Sequence, residues 1–186
     1  MRRTPRIVLF DFDGTLIDSD AALLAPFTAL GIATADMPPL GLPLGDACAR
    51  VGLTVADYVA RYDSSASVPF PGIEEMLVHL GRWGLCSNKT RQSGVQELAR
   101  LGWHPTEAFF SDDWEGRPKE LDPVLLALEL APADAVFVGD TDHDRACAHL
   151  AGVDFALAGW NPRARQGARP DDVVLERPGD VLALLD

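Results

Sequence analysis

Hydrophobic and polar positions along the chain follow two alternating rhythms. Short aliphatic or β-branched runs bounded by turn residues predict strands at 6–12, 85–87, 108–111, 135–139, 154–157 and 173–175. Between them, apolar residues recurring every three or four positions predict helices at 73–81, 91–101, 122–130, 143–151 and 179–185. Strands joined by helical crossovers pair in parallel and need cover on both faces. The predicted fold class is therefore α/β, a Rossmann-like parallel sheet core with helices on both faces. The first interval breaks the rhythm. From Leu16 to Pro69 the pattern offers no strand, only helix-like segments near 20–30, 45–51 and 54–62, punctuated by the prolines and glycines of "MPPLGLP". That block reads as a small inserted α-helical cap domain, residues 17–69, set into a core made of residues 1–16 and 70–186, with "SSASVPFPG" as the returning linker.

A length of 186 residues with 47% hydrophobic side chains suits one good core and a small satellite. The formal net charge of -12 repels polyanions, so neither nucleic acid nor an acidic membrane surface is an expected partner. A small anion held by a local positive site remains compatible with it. The apolar run Ile7–Phe10 stops at Asp11, too short for a leader or a membrane span, and a cytoplasmic location is expected. Cys48, Cys86 and Cys147 are odd in number and far apart, which suggests buried reduced thiols rather than a disulfide framework or a zinc site.

In an open α/β sheet, ligands gather outside the carboxyl ends of the strands. Four predicted strand ends carry polar or acidic residues: Asp11 and Asp13, Ser87 and Asn88, Ser111 with Asp112 and Asp113, and Asp140, Asp142 and Asp144. Two carboxylates two residues apart repel unless a cation or a shared proton intervenes, and a divalent metal is the simplest remedy. Gly14 lets the backbone turn tightly, and Thr15 brings a hydroxyl donor. The bland alternative for "DFDG" alone is an acidic turn. The "AVFVGDTDHD" segment repeats the logic. Its hard oxygen donors suit Mg²⁺, with Asp140 the better ligand, while Asp142 could cap the next helix and Asp144 favour its N-terminal dipole. His143 reads as a helix-start residue rather than a ligand.

"DFDGTL", then "CSNK", then "VGDTDHD", in this order and each after a predicted strand, resemble the haloacid dehalogenase superfamily. The likeness is to its phosphoglycolate phosphatase-like members, which carry a helical cap after the first motif. It spans essentially the whole chain, including "PFPGIEEMLVHL" where such caps return to the core. The resemblance implies a Mg²⁺-dependent phosphomonoester hydrolase acting on a small phosphorylated metabolite through an aspartyl-phosphate. The metabolite it implies is phosphoglycolate-like or a sugar phosphate, with Asp11 as nucleophile, Asp13 as general acid and base, and Mg²⁺ held by the Asp11 carboxylate, the Asp13 backbone carbonyl and Asp140, with Asp144 assisting. Thr15, Ser87 and Asn88 would bind substrate. The family's basic residue falls in "EGRPKELDP", where Lys119 is favoured over Arg117 because a compact ammonium can touch phosphate and carboxylate together; Arg117 is retained as a substrate-binding candidate. Asp13 favours phosphoryl chemistry over dehalogenation. A phosphomutase of the same superfamily, or a non-catalytic phosphate-binding protein on the same fold, are the alternatives. In the cap, Arg50, Arg61 and Tyr62 are the polar candidates for substrate contact; Trp83 and Trp103 are expected to pack, and Trp160 to flank the site.

Overall fold

The computed structural model describes residues 7–114 and 117–185. Arg6, expected to open the first strand, lies outside the described residues, as do the remaining core residues 1–5 and 186 and the loop residues Glu115 and Gly116.

The chain runs β1 (Ile7–Phe10), β2 (Ile17–Asp18), α1 (Asp20–Ala29), α2 (Leu44–Arg50), α3 (Val55–Val59), β3 (Val68–Pro69), α4 (Ile73–Leu80), β4 (Trp83–Cys86) and α5 (Arg91–Leu101). It continues through β5 (Glu107–Phe109), α6 (Asp122–Ala127), β6 (Ala135–Gly139), α7 (Asp142–Leu150), β7 (Asp154–Ala158), α8 (Pro162–Gln166) and β8 (Val173–Leu175), and closes with a 3-10 helix, Pro178–Leu185. Six strands form one parallel sheet in the order β5-β4-β1-β6-β7-β8. The expected Rossmann-like α/β core is thus the one observed.

The period-2 alternation of β1 sets its two faces. Val8 and Phe10 pack with Ile73 and Met76 of α4 and Leu98 of α5, whereas Ile7 and Leu9 pack with Val124 and Leu125 of α6 and Cys147 and Ala148 of α7. Each buried Val, Leu, Ile, Phe or Met side chain among these stabilises the fold by about 1.5–3 kcal/mol, and a one-residue slip would exchange the faces. β1 is therefore pinned in mid-sheet, between β4 and β6. The residue that follows it, Asp11, emerges at the centre of the sheet's carboxyl edge.

The helical block between β2 and β3 has an apolar cluster of its own: Phe27, Ala47, Cys48 and Tyr58. The Phe27 and Tyr58 rings lie 4.9 Å apart, and a reciprocal Thr54–Asp57 capping box starts α3. Contrary to the strand-free reading of this interval, β2 and β3 pair antiparallel, Ile17 opposite Pro69 and Asp18 opposite Val68. Two-residue strands are too short to leave a periodic pattern.

Other differences are local. The helix expected to reach residue 130 ends at Ala127, and Glu129 takes a left-handed φ of 56°. The closing segment is 3-10 rather than α, and α8 went unpredicted because five residues give less than two turns of pattern. Trp83 and Trp103 pack in the core as expected. All three cysteines are buried and free. No helix among the described residues is long and apolar enough to cross a membrane.

Candidate active site

The sharp turn after β1 builds the site. The amide of Asp11 still donates to the Val138 carbonyl of β6 at 2.9 Å. Phe12 then plunges into the core, its carbonyl accepting from the amides of Leu16 at 3.0 Å and Ile17 at 3.2 Å. This reversal leaves Asp11 and Asp13 both lining a cleft between the sheet edge and the helical block. At the turn Gly14 has φ +79°, and a Cβ there would fall 2.3 Å from Asp140 Oδ2 and 2.7 Å from Arg163 Nη2. Gly14→Ala should therefore displace Asp140 and lower activity by roughly 100-fold, with about 1–3 kcal/mol lost to backbone strain. Kinetics and a thermal melt check this together; an alanine variant with wild-type turnover contradicts the close approach.

Asp11 is buried, and Lys119 Nζ donates to its Oδ1 at 2.7 Å. The same ammonium lies 2.5 Å from Asp144 Oδ1. The other Asp144 oxygen accepts from the Asp140 and Thr141 amides, at 3.2 and 2.9 Å, and from the Thr141 hydroxyl at 2.5 Å. Thr141 thus caps α7 in a reciprocal box with Asp144, the role the sequence offered to Asp142. Asp142 is instead exposed and pairs with Arg145 and Arg169. His143 sits in the first turn of α7, as expected.

Asp140 is held on both sides. The Thr15 hydroxyl donates to its Oδ1 at 3.2 Å, and the Arg163 guanidinium pairs with its Oδ2. Oxygens of Asp11, Asp140 and Asp144, all buried, lie within 4.8 Å of one another. Crowding shows in their acidities. Burial pushes the Asp11 carboxyl well up; Lys119 opposes this, while the Asp144 and Asp140 charges add to it. Burial and the Asp144 charge push Asp140 up to about 7 despite Arg163. Burial likewise disfavours the Asp144 carboxylate, but Lys119 and the Thr141 hydrogen bonds outweigh it and hold its pKa below the usual range. Lys119, disfavoured by burial, is held firmly charged by Asp11 and Asp144.

A second buried ion network serves Asp13. Lys89 Nζ lies 3.0 Å from Asp13 Oδ1 and 2.9 Å from Glu97 Oε2. The Tyr62 hydroxyl donates to Glu97 Oε1 at 2.6 Å and accepts from Lys89 at 2.8 Å, tying the helical block to α5. Burial pushes Tyr62 up to about 12, with Lys89 opposing and Asp13 reinforcing the shift.

The structure brings Asp11, Asp13, Ser87, Asn88, Lys119 and Asp144 to one cleft, with Asp140 behind them. Asn88 reaches across, its Nδ2 donating to the Gly41 carbonyl at 3.0 Å while Oδ1 is buried without a protein partner. Two expectations need correction. Thr15 is fully buried and its hydroxyl serves Asp140 instead of facing the cleft. Arg117 is exposed, pairs with Glu120 at 2.8 Å and does not line the cleft, because a neighbour three residues on satisfies it. In the helical block, only Tyr62 of the three polar candidates lines the cleft; Arg50 and Arg61 are exposed away from it. Asp112 and Asp113 bond with Arg91 at the surface. Trp160 braces the first motif, its indole donating to the Thr15 carbonyl at 2.9 Å.

Sequence reasoning missed Lys89, Glu97, Asp20 and Arg163. Lys89 directly follows Ser87–Asn88, and Arg163 follows the β7 strand end, so both stood where strand-end chemistry collects. Arg163 Nε donates to Asp20 of α1 at 2.7 Å while its Nη2 pairs with Asp140, a bridge from helical block to core.

A parallel α/β sheet here carries three buried carboxylates and a buried lysine at its central carboxyl edge, the place where open sheets of this class hold their ligands. The chain belongs to the haloacid dehalogenase-like hydrolase family, whose model matches residues 40–158. Within it the chain lies among the phosphatases by sequence. It is 32% identical to a phosphoglycolate phosphatase from Xylella fastidiosa, over 87% of this chain and 83% of that one. It is 26% identical to an N-acetylmuramic acid 6-phosphate phosphatase from Pseudomonas aeruginosa, over 97% and 95% of the two chains. Among solved structures, a haloacid dehalogenase-like hydrolase from Streptococcus pneumoniae superposes with a TM-score of 0.78 at 22% identity, covering 98% of this chain and 99% of that one, a likeness of fold.

Proposed function

We propose that this protein is a Mg²⁺-dependent phosphomonoester hydrolase acting on a small phosphorylated metabolite through an aspartyl-phosphate on Asp11, with residues 17–69 as its cap domain. The observation that carries the reading is the placement of two cleft carboxylates in separate ion networks, Asp11 on Lys119 and Asp13 on Lys89. Asp11 attacks phosphorus, forming the acyl-phosphate bond as the P–O bond to the alcohol breaks, and Asp13 gives that alcohol its proton. Asp13 then takes a proton from the water that attacks the phosphoenzyme, which releases inorganic phosphate and restores Asp11. Ser87 and Asn88 hydrogen-bond the phosphoryl oxygens, and Lys119 offsets their charge.

The donor set fits Mg²⁺. Among the described residues, three buried carboxylates face two cations, Lys119 and Arg163, and burial drives Asp11 and Asp140 toward their protonated forms. Asp11, Asp140 and the Asp13 carbonyl would hold the ion, with Asp144 assisting. When bound, it supplies charge neutralisation between the nucleophile and the anionic phosphate.

Phosphate release from a panel of small phosphomonoesters, with and without Mg²⁺, tests the reading; no release from any of them by folded protein sinks it. Metal uptake should also displace protons, because Asp140, raised to about 7, must ionise to bind. At pH 7 the release should be on the order of half a proton or more, falling above pH 8, read by calorimetry in two buffers of different ionisation enthalpy. The sign for stability follows. A carboxyl raised in the fold stabilises it below the unfolded pKa and loses that contribution as pH climbs through the raised value. Metal-free protein thus loses the Asp140 contribution between about pH 4 and 7, and the Mg²⁺-induced rise in melting temperature should grow over that window. A melting-temperature increment that is flat with pH contradicts this.

A further inference from the structure

Away from the carboxylates, the cleft has an apolar wall that the proposed chemistry does not use. Leu23, Leu24 and Leu40 line it half-buried, and none of the three belongs to the apolar cluster that holds the helical block together. Beside them stand the rings of Tyr58 and Tyr62, stacked at 5.9 Å with an interplanar angle of 18°. Both hydroxyls are already engaged, Tyr58 donating to the Leu23 carbonyl at 3.0 Å and Tyr62 to Glu97. The wall offers aliphatic and ring surface rather than free donors.

The charges tell the same story. Among the described residues the cations lining the cleft are Lys89, Lys119 and Arg163. Each is bound to two carboxylates: Asp13 and Glu97, Asp11 and Asp144, Asp20 and Asp140. These groups and the metal account for a phosphate and leave no cation over for a second anion at the far end. A carboxylate pressed against the leucines would lose hydration with nothing to replace it.

We propose that the cleft selects phosphomonoesters whose alcohol is uncharged and carries an apolar, ring-sized body, and discriminates against alcohols bearing a carboxylate. This rests on the hydrolase reading of the same site for its phosphate end. The wall supplies hydrophobic contact and the ion networks supply the discrimination.

The test separates ligand class from turnover. Calorimetric titration of the wild type in Mg²⁺ compares benzylphosphonate with phosphonoacetate, which share the phosphonate and differ in ring against carboxylate. Benzylphosphonate should bind at least about tenfold tighter, the scale on which apolar pockets discriminate. Leu24→Arg should narrow or reverse that ratio; Leu40→Arg, in a loop, serves the same purpose if α1 does not tolerate the change. Phosphonoacetate binding as tightly as benzylphosphonate, no binding of benzylphosphonate, or a ratio unmoved by both arginines overturns the inference. Phosphate release from benzyl phosphate and 2-phosphoglycolate is read separately. Turnover of 2-phosphoglycolate alone overturns the inference and leaves the hydrolase reading standing. The expected binding ratio without turnover of either supports the ligand class and counts against the hydrolase reading alone.

Discussion

Asp11→Asn should lower kcat/KM for any phosphomonoester the wild type hydrolyses by about 10⁴-fold or more, with the fold intact. The amide keeps the shape of the carboxylate but cannot attack phosphorus. Folding should tolerate it, because burial already pushes the Asp11 carboxyl toward its neutral form. The cost is a weaker contact with Lys119, now 2.7 Å from Oδ1. Asp13→Asn is the informative comparator. It removes the proton donor, so it should hurt least in the first step with a leaving group such as p-nitrophenolate that needs no proton. The phosphoenzyme should then accumulate, because the water that resolves it has lost its base. Steady-state and single-turnover kinetics beside thermal melts make the comparison. If Asp11→Asn keeps more than about one hundredth of wild-type activity, Asp11 is not the nucleophile; if Asp13→Asn builds up no phosphoenzyme, the division of labour fails.

The core and the first motif were legible for the same reason: their signals are local. Ile7–Phe10 reads as a buried strand because four apolar residues stop abruptly at Asp11, and the opposite packing of Val8 and Leu9 follows from strand pleating. Asp140 and Asp144 were legible because "AVFVGDTDHD" repeats that pattern. What stayed hidden is long-range. Arg163 meets Asp20 across 143 positions of sequence, and Tyr62 meets Glu97 across 35. Glu97 is fully buried on α5. Helical periodicity assigns a glutamate to the wet face, so only the partners Lys89 and Tyr62 explain where it sits. Thr15 was misplaced for a related reason. A hydroxyl in a phosphate-site motif suggests a ligand contact, but the Gly14 turn delivers it to Asp140.

Sequence reasoning favoured Lys119 over Arg117 on the compactness of its ammonium, and the buried Lys119 and exposed Arg117 should give variants that differ sharply. Lys119→Met removes the ammonium that lies between Asp11 and Asp144, at 2.7 and 2.5 Å. The methionine fills a similar volume but leaves two buried carboxylates facing each other, and breaking a buried pair in this way costs about 3–5 kcal/mol. The sign with pH is fixed by Asp144. Its pKa is held low in the wild type, with Lys119 the leading opponent of its burial. The stability this gives is present above the unfolded carboxyl pKa and fades as pH falls through the lowered value, so the gap between wild type and variant should narrow in acid. Mg²⁺ should restore part of the lost stability by taking up the same charge role. Activity should still fall by roughly 10²–10³-fold at saturating Mg²⁺, because the transferring phosphate loses a fixed cation. Lys119→Arg should not rescue it. The ammonium sits 3.4 Å from the Cys86 carbonyl and 5.3 Å from the Phe137 ring centroid, leaving little room for a planar guanidinium. Arg117→Ala, at an exposed ion pair, should change turnover less than about twofold. Melts across pH and kinetics on the three variants decide the matter: if Arg117→Ala is the crippled enzyme and Lys119→Met is not, the basic residue of the site is Arg117, and Asp11 and Asp144 must be neutralised by something other than Lys119.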